Sequence, residues 1–223
     1  MRGASPSESL PSALLFLLQI FSIVQFKMGR NFNLSSKRIL FLIEVAIFTA
    51  LALVLDLVPF LQFKIWAQGG SISFAMIPIF IVAFRWGIKG GLISGFLWGV
   101  LQVAVGTAYI LTPLQGFIDY GFAFTALGVA GIFAKPIQLA VKKGNTGVYL
   151  SYITLGVFIG SMLRFIAHYI AGVVFFSSAI EGQPVWLYSF VYNISYMFPA
   201  FILCTICVFF LFHKQPKVLL NAS

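Results

Sequence analysis

Hydropathy leaves this chain few folds to choose from. Five long apolar stretches and one short one fill residues 38 to 212. Crossing the hydrocarbon core of a bilayer takes about 20 predominantly apolar residues per helix. Without water as a partner, backbone polar groups in lipid must pair within the segment, so such runs read as helices. The expectation is an all-α integral membrane protein of the cell membrane, a six-transmembrane-helix bundle. Charged residues are only 9% of the 223, apolar types are 61%, and mean hydropathy is +1.02. A soluble domain carries about 25% charged residues, and six spans with short loops leave no room for one to be appended.

The spans read as about 38–60, 72–84, 91–106, 114–134, 148–176 and 186–212. The second, with Pro78, is the short one. LQFKIWAQGGS (61–71) reads as a polar, glycine-containing loop, RWGIKGG (85–91) as a tight turn, and KPIQLAVKKGNTG (135–147) as the most soluble internal loop. On one side of the membrane fall Arg30, Lys37, Arg38, Arg85, Lys89, Lys135, Lys142, Lys143, Lys214 and Lys217, and on the other only Lys64. Basic residues accumulate on the cytoplasmic side, so both termini are expected there, with loops 61–71, 107–113 and 177–185 outside.

The net charge of +9 does not indicate nucleic acid. The basic residues sit singly or in pairs at the ends of apolar runs, with no basic stripe interleaved with aromatics. Residues 1–35 form an N-terminal extension, and residues 36–217 the membrane domain. The apolar run 13–26 is short for a span, which leaves an interfacial helix, a start at Met28, or a signal peptide without a convincing cleavage site. The chain has no P-loop, nucleophile elbow or zincin motif. Cys204 and Cys207 form C-x-x-C inside an apolar span with no second Cys/His pair, where small packing residues are expected. No metal or cofactor is implied.

The few polar groups inside the spans share a level. Counted by helical rise, Trp98, Asp119, Arg164, His168 and Asn193 lie roughly 8 to 20 Å from the same membrane face. Ionisable groups are costly in hydrocarbon, so a shared level of them points to a site facing the bundle interior. Arg164, His168, Gly172 and Phe176 recur every fourth residue, which gathers them on one helix face. Gly172 reads as a place where a ring approaches. Tyr120, Tyr188 and Ser189 lie near the outer ends of their spans. A carboxylate among aromatic faces suits a cation or an electron-poor ring. Arg164 either holds an anionic tail or neutralises Asp119. On the first span, Ala46 and Ala50 stand four apart, a small-residue face of the kind that lets helices pack closely in lipid.

Six stretches make the chain resemble a known family. They are IEVAIFTALALVLDL (43–57), MIPIFIVAFRWG (76–87), GFLWGVLQVAVGTAYIL (95–111), FIDYGFAFTALGVAGIF (117–133), SMLRFIAHYIAGVVFF (161–176) and WLYSFVYNIS (186–195). The chain is similar to the thiamine-specific substrate-binding subunit, or S component, of energy-coupling factor (ECF) transporters. The resemblance implies high-affinity thiamine binding in an outward-facing pocket. It places the ligand on Trp98, Tyr109, Asp119, Tyr120, Arg164, His168, Gly172, Phe176, Tyr188, Ser189 and Asn193, with Trp66 as the aromatic of the first outer loop. Members of that family carry Glu at the Asp119 position and Trp at the Phe176 position. The resemblance further implies that Ala46 and Ala50 meet a transmembrane coupling subunit, driven by two ATPase subunits. The competing readings are the same fold with a thiamine precursor or another vitamin, and an intramembrane enzyme using Asp119 and His168.

Overall fold

Helix α1 spans Leu34–Leu57 and leads into a pair of short strands, β1 (Gln62–Trp66) and β2 (Gly69–Ser73). Helix α2 follows over Met76–Ala104. Helix α3 is Pro113–Lys142, α4 is Thr146–Phe175 and α5 is Val185–Lys214. These come from a computed structural model describing residues 34–59, 61–66, 69–216 and 220. Most of the expected N-terminal extension, with Arg30 and Met28, and Lys217 lie outside the described residues. The five helices are each long and apolar enough to cross a membrane. The membrane-spanning part is all-helical.

Helix α2 is broken at Gly87, whose φ of 76° and ψ of −169° are not helical. A Cβ built on Gly91 would lie 2.8 Å from the Ala83 Cβ. Eight residues of straight helix would separate them by about 12 Å, so the chain doubles back and α2 is a hairpin of two arms. Gly91, Gly95 and Gly99 then recur every fourth residue along the second arm. A Cβ at Gly95 would meet the Phe124 carbonyl oxygen at 2.3 Å, and one at Gly99 the Tyr120 oxygen at 1.9 Å. The small face lets α2 lie backbone to backbone on α3. That approach sets the Trp98 and Phe124 rings 4.4 Å apart.

Two expectations are corrected. Residues 61–71 are not a plain loop: β1 and β2 pair antiparallel, Gln62 opposite Ser73 and Lys64 opposite Ser71. Gly69 and Gly70 have φ of 142° and 74°, which glycine tolerates best, at the return of the chain. Residues 135–147 are not a loop throughout: α3 continues to Lys142. Ile137 and Ala140 are buried while Lys135 and Leu139 are exposed, an amphipathic turn masked by its charges. The Gln138 side chain donates to the Phe84 and Arg85 carbonyl oxygens at 3.1 and 2.9 Å, satisfying groups beside the Gly87 break.

Arg85, counted above as a basic flank, is buried. Its guanidinium holds Glu44 of α1 at 2.5 Å from Nε to Oε2 and at 2.9 Å from Nη2 to Oε1. Trp86 Nε1 donates to the same carboxylate at 2.6 Å, and Arg85 Nη1 donates to the Leu220 carbonyl at 2.8 Å. A bidentate pair with its remaining lone pairs used is the form in which a buried ion pair is tolerated. It ties α1, the α2 hairpin and the C-terminal tail together. Nearer the other end, Thr49 and Ser94 hydroxyls meet at 2.8 Å and join α1 to the second arm of α2.

Candidate ligand-binding site

The site begins at the start of α3. Thr112 caps the helix by accepting from Gln115 N at 3.2 Å, and Pro113 occupies the first turn, where its missing N–H costs nothing. Phe117–Phe122 is a π-helical turn. Such turns are frequent at functional sites because the extra residue re-aims side chains. Here the turn carries Asp119, which is buried.

Asp119 is held from two sides. Gln115 Nε2 donates to Oδ2 at 2.6 Å, and His168 Nδ1 meets Oδ1 at 2.7 Å. Arg164 Nε donates to His168 Nε2 at 3.2 Å. A guanidinium is always a donor, so His168 Nε2 accepts and its proton sits on Nδ1, aimed at Asp119. Arg164 therefore reaches Asp119 through a neutral imidazole and not by direct contact. Its guanidinium lies 4.3 Å from the Phe124 ring centroid and 5.0 Å from that of Trp98.

Across the site, α5 supplies a second polar set. Asn193 Nδ2 donates to the Ser189 carbonyl at 2.8 Å, while its Oδ1 accepts from the Tyr196 hydroxyl at 2.7 Å. Toward the outer loop, the Tyr120 hydroxyl accepts from Tyr109 N at 2.8 Å, and the Tyr109 ring lies 6.2 Å from Phe176. These groups surround a cavity of about 720 Å³ whose wall includes Trp98, Tyr109, Asp119, Tyr120, Arg164, His168, Gly172, Phe176, Tyr188, Ser189 and Asn193. Aromatic faces with a few convergent polar groups are the usual make-up of a small-molecule site.

The family described as Thiamine transporter protein (Thia_YuaJ) matches residues 42–220. The chain belongs to this thiamine transporter family. It is 46% identical over 185 residues to the thiamine transporter ThiT of Bacillus subtilis (strain 168), covering 82% of this chain and 96% of that protein. The ThiT of Lacticaseibacillus paracasei is 32% identical over 161 residues, covering 70% of this chain and 79% of the relative. The solved structure of ThiT from Listeria monocytogenes superposes with a TM-score of 0.77 at 33% identity, covering 82% of this chain and 99% of that one.

Two residues of this thiamine transporter family member are placed differently from expectation. Trp66 does not line the cavity. Its Nε1 donates to Ser195 Oγ at 2.9 Å and its ring packs 5.2 Å from Tyr192, so it fastens the β-hairpin to α5. Gly172 does line the cavity, but the approach it permits is between helices. A Cβ there would lie 2.1 Å from Ser189 Oγ. Ser189 in turn donates to the Tyr169 carbonyl of α4 at 3.0 Å.

Sequence reasoning missed a second polar group on the cavity wall. Asp56, at the end of α1, accepts from Gln102 Nε2 of α2, and Gln102 Oε1 accepts from the Thr107 hydroxyl. Ser71 of β2 donates to Asp56 Oδ1 at 3.5 Å. All of them line the cavity. The available signal was an Asp closing an apolar span and a Gln inside another, both unpaired in sequence. Gln115, which orients Asp119 from four residues away, was missed as well.

Proposed function

We propose that this chain is the high-affinity thiamine-binding subunit, the S component, of an ECF-type importer, capturing thiamine at the extracellular face. The observation that carries the reading is the composition of the cavity wall. It joins a hydrogen-bonded carboxylate, aromatic faces and amide and hydroxyl groups, the complement of a cationic heteroaromatic with an aminopyrimidine. Membership of the thiamine transporter family supports the same ligand.

In this reading both arms of α2 cross the membrane, giving six crossings with both termini in the cytoplasm. The cavity then opens on the side bearing Lys64 and the β-hairpin, in keeping with the charge asymmetry. Asp119, oriented by Gln115 and His168, accepts from the aminopyrimidine. Trp98, Tyr109, Tyr120, Phe176 and Tyr188 offer ring faces, and Ser189 and Asn193 supply polar contacts. Phe176 and Asp119 are smaller than the family's Trp and Glu, and the shorter Asp is compensated by the His168 contact.

Uptake requires partners, a transmembrane coupling subunit and two ATPase subunits. Support comes from α1, where Ala46 and Ala50 are exposed beside exposed Leu42, Ile43 and Val54. Among the described residues nothing covers that face, and its small side chains admit the close approach of another helix. The test is titration of the detergent-solubilised protein with thiamine, followed by tryptophan fluorescence and by heat, together with mass spectrometry of co-purified ligand. Quenching and heat at micromolar thiamine or below are expected. No signal at micromolar concentration removes the reading, and co-purification of a thiamine precursor replaces the ligand.

A further inference from the structure

A second hollow lies outside the ligand cavity, between α4 and α5. It has a volume of about 620 Å³ and is lined by Gly147, Ser151, Thr154 and Phe158 of α4 and by Phe201 and Phe209 of α5. The four α4 residues recur at i, i+4, i+7 and i+11, on one helix face, and all are exposed. A glycine and two short side chains opposite phenylalanines leave a groove that the two helices do not fill. Its hydroxyls are already satisfied within α4: Ser151 donates to the Gly147 carbonyl at 2.9 Å and Thr154 to the Leu150 carbonyl at 3.0 Å. What the groove offers an occupant is apolar surface.

Length and charge identify the occupant. The groove starts at the first turn of α4 and closes where the Phe158 and Phe201 rings meet edge to face at 5.8 Å. From Gly147 to Phe158 the helix rises about 16 Å, close to half of a hydrocarbon core about 30 Å thick. That is the depth of one lipid leaflet, whereas a partner's transmembrane helix needs a track through both. At the open end Lys142, Lys143, His213 and Lys214 are exposed, and the His213 ring stacks on Phe209. Among the described residues no ion pair involves these lysines. No described carboxylate is exposed at that end. Glu44 is buried with Arg85, Asp56 and Asp119 line the ligand cavity, and Glu181 lies in the loop at the opposite end of α4.

We propose that this groove binds an anionic phospholipid, one acyl chain lying between α4 and α5 and the headgroup phosphate resting on Lys142, Lys143 and Lys214. Basic pockets between helices at the membrane surface attract anionic headgroups, and the apolar groove beneath holds the chain. The bound lipid joins the start of α4 to the end of α5, the helices that carry His168 and Asn193.

The test supplies the purified full chain in mild detergent with dioleoylphosphatidylglycerol or dioleoylphosphatidylcholine. Native mass spectrometry reads the retained lipid and thermal unfolding reads its effect. One phosphatidylglycerol is expected to stay bound and raise Tm, and phosphatidylcholine to do neither. Lys142→Gln, Lys143→Gln and Lys214→Gln are each expected to lower phosphatidylglycerol affinity roughly fivefold, the scale of one lysine at an anionic surface. Thr154→Trp, which fills the groove, is expected to remove the bound lipid with the lysines intact. Equal retention of both lipids overturns the proposal, as does an unchanged preference in the triple lysine variant, whose substitutions are all exposed. Full retention by Thr154→Trp would place the lipid elsewhere, and no retained lipid on the wild-type chain would leave the groove to another occupant; either result overturns it as well.

Discussion

His168 donates from Nδ1 to Asp119 at 2.7 Å, a contact possible in one tautomer only, because Arg164 occupies its other ring nitrogen at 3.2 Å. A histidine held this way is an orienting group for the carboxylate. His168→Ala is therefore expected to weaken thiamine by roughly 10- to 150-fold, the 1.5–3 kcal/mol of a hydrogen bond to a charged group. Nitrogen NMR of labelled protein checks the cause directly: the Nδ1–H tautomer is expected, and an Nε2–H ring would sink the chain from Arg164 to Asp119.

Asp119→Asn is expected to weaken thiamine and its neutral deaza analogue, in which the thiazolium nitrogen is carbon, to a similar degree. Gln115 and His168 each donate to one Asp119 oxygen, so the substitution turns an NH2 toward one of those donors and the orientation of the group is lost for both ligands. Calorimetric titration with both ligands decides it. A loss confined to thiamine would show that the charge of Asp119, and not its orientation, governs binding.

Gly172→Ala probes the α4–α5 contact. The added Cβ would stand 2.1 Å from Ser189 Oγ, closer than side chains approach, so the helices must part or Ser189 must turn. Overpacking of this kind costs about 1–3 kcal/mol. A lower Tm in detergent and a weaker thiamine complex are expected together, because Ser189 and Asn193 ride on the same helix. An unchanged Tm would mean that the cavity takes up the methyl group.

Arg85→Ala is expected to destabilise the bundle by about 3–5 kcal/mol, the cost of stranding a buried charge when its partner is removed. Arg85→Met combined with Glu44→Gln is expected to recover part of that loss. Thermal unfolding in detergent measures both, and a double variant less stable than Arg85→Ala would contradict the account of the pair.

Ala46→Trp and Ala50→Trp are expected to abolish uptake by cells and leave thiamine binding intact. Both residues are exposed on α1, away from the cavity, so a large ring there blocks a partner helix and nothing inside the bundle. Normal uptake by both variants would show that the coupling subunit docks elsewhere.

That Asp119, Arg164, His168 and Asn193 share one level was legible in the sequence, and so were the apolar spans carrying them; all four line one cavity. The reason lies in the solvent: lipid offers no partner to a charge or a backbone amide, so a long apolar run must be helical and a polar group inside it must face protein. Depth along such a helix follows from residue count alone. The same reasoning exposed Ala46 and Ala50 as a small face. What it could not supply is which backbone meets which. The Gly91–Gly95–Gly99 contact with α3, the pairing of β1 with β2, the seat of Trp66 on Ser195, and the joining of Asp56 to Gln102 across 46 positions each depend on distances between segments far apart in the chain. Gly172 shows the difference most plainly: its spacing marked the right face, but only packing decided that the neighbour it accommodates is Ser189, since a missing methyl group favours a helix or a ligand equally until the opposing surface is in place.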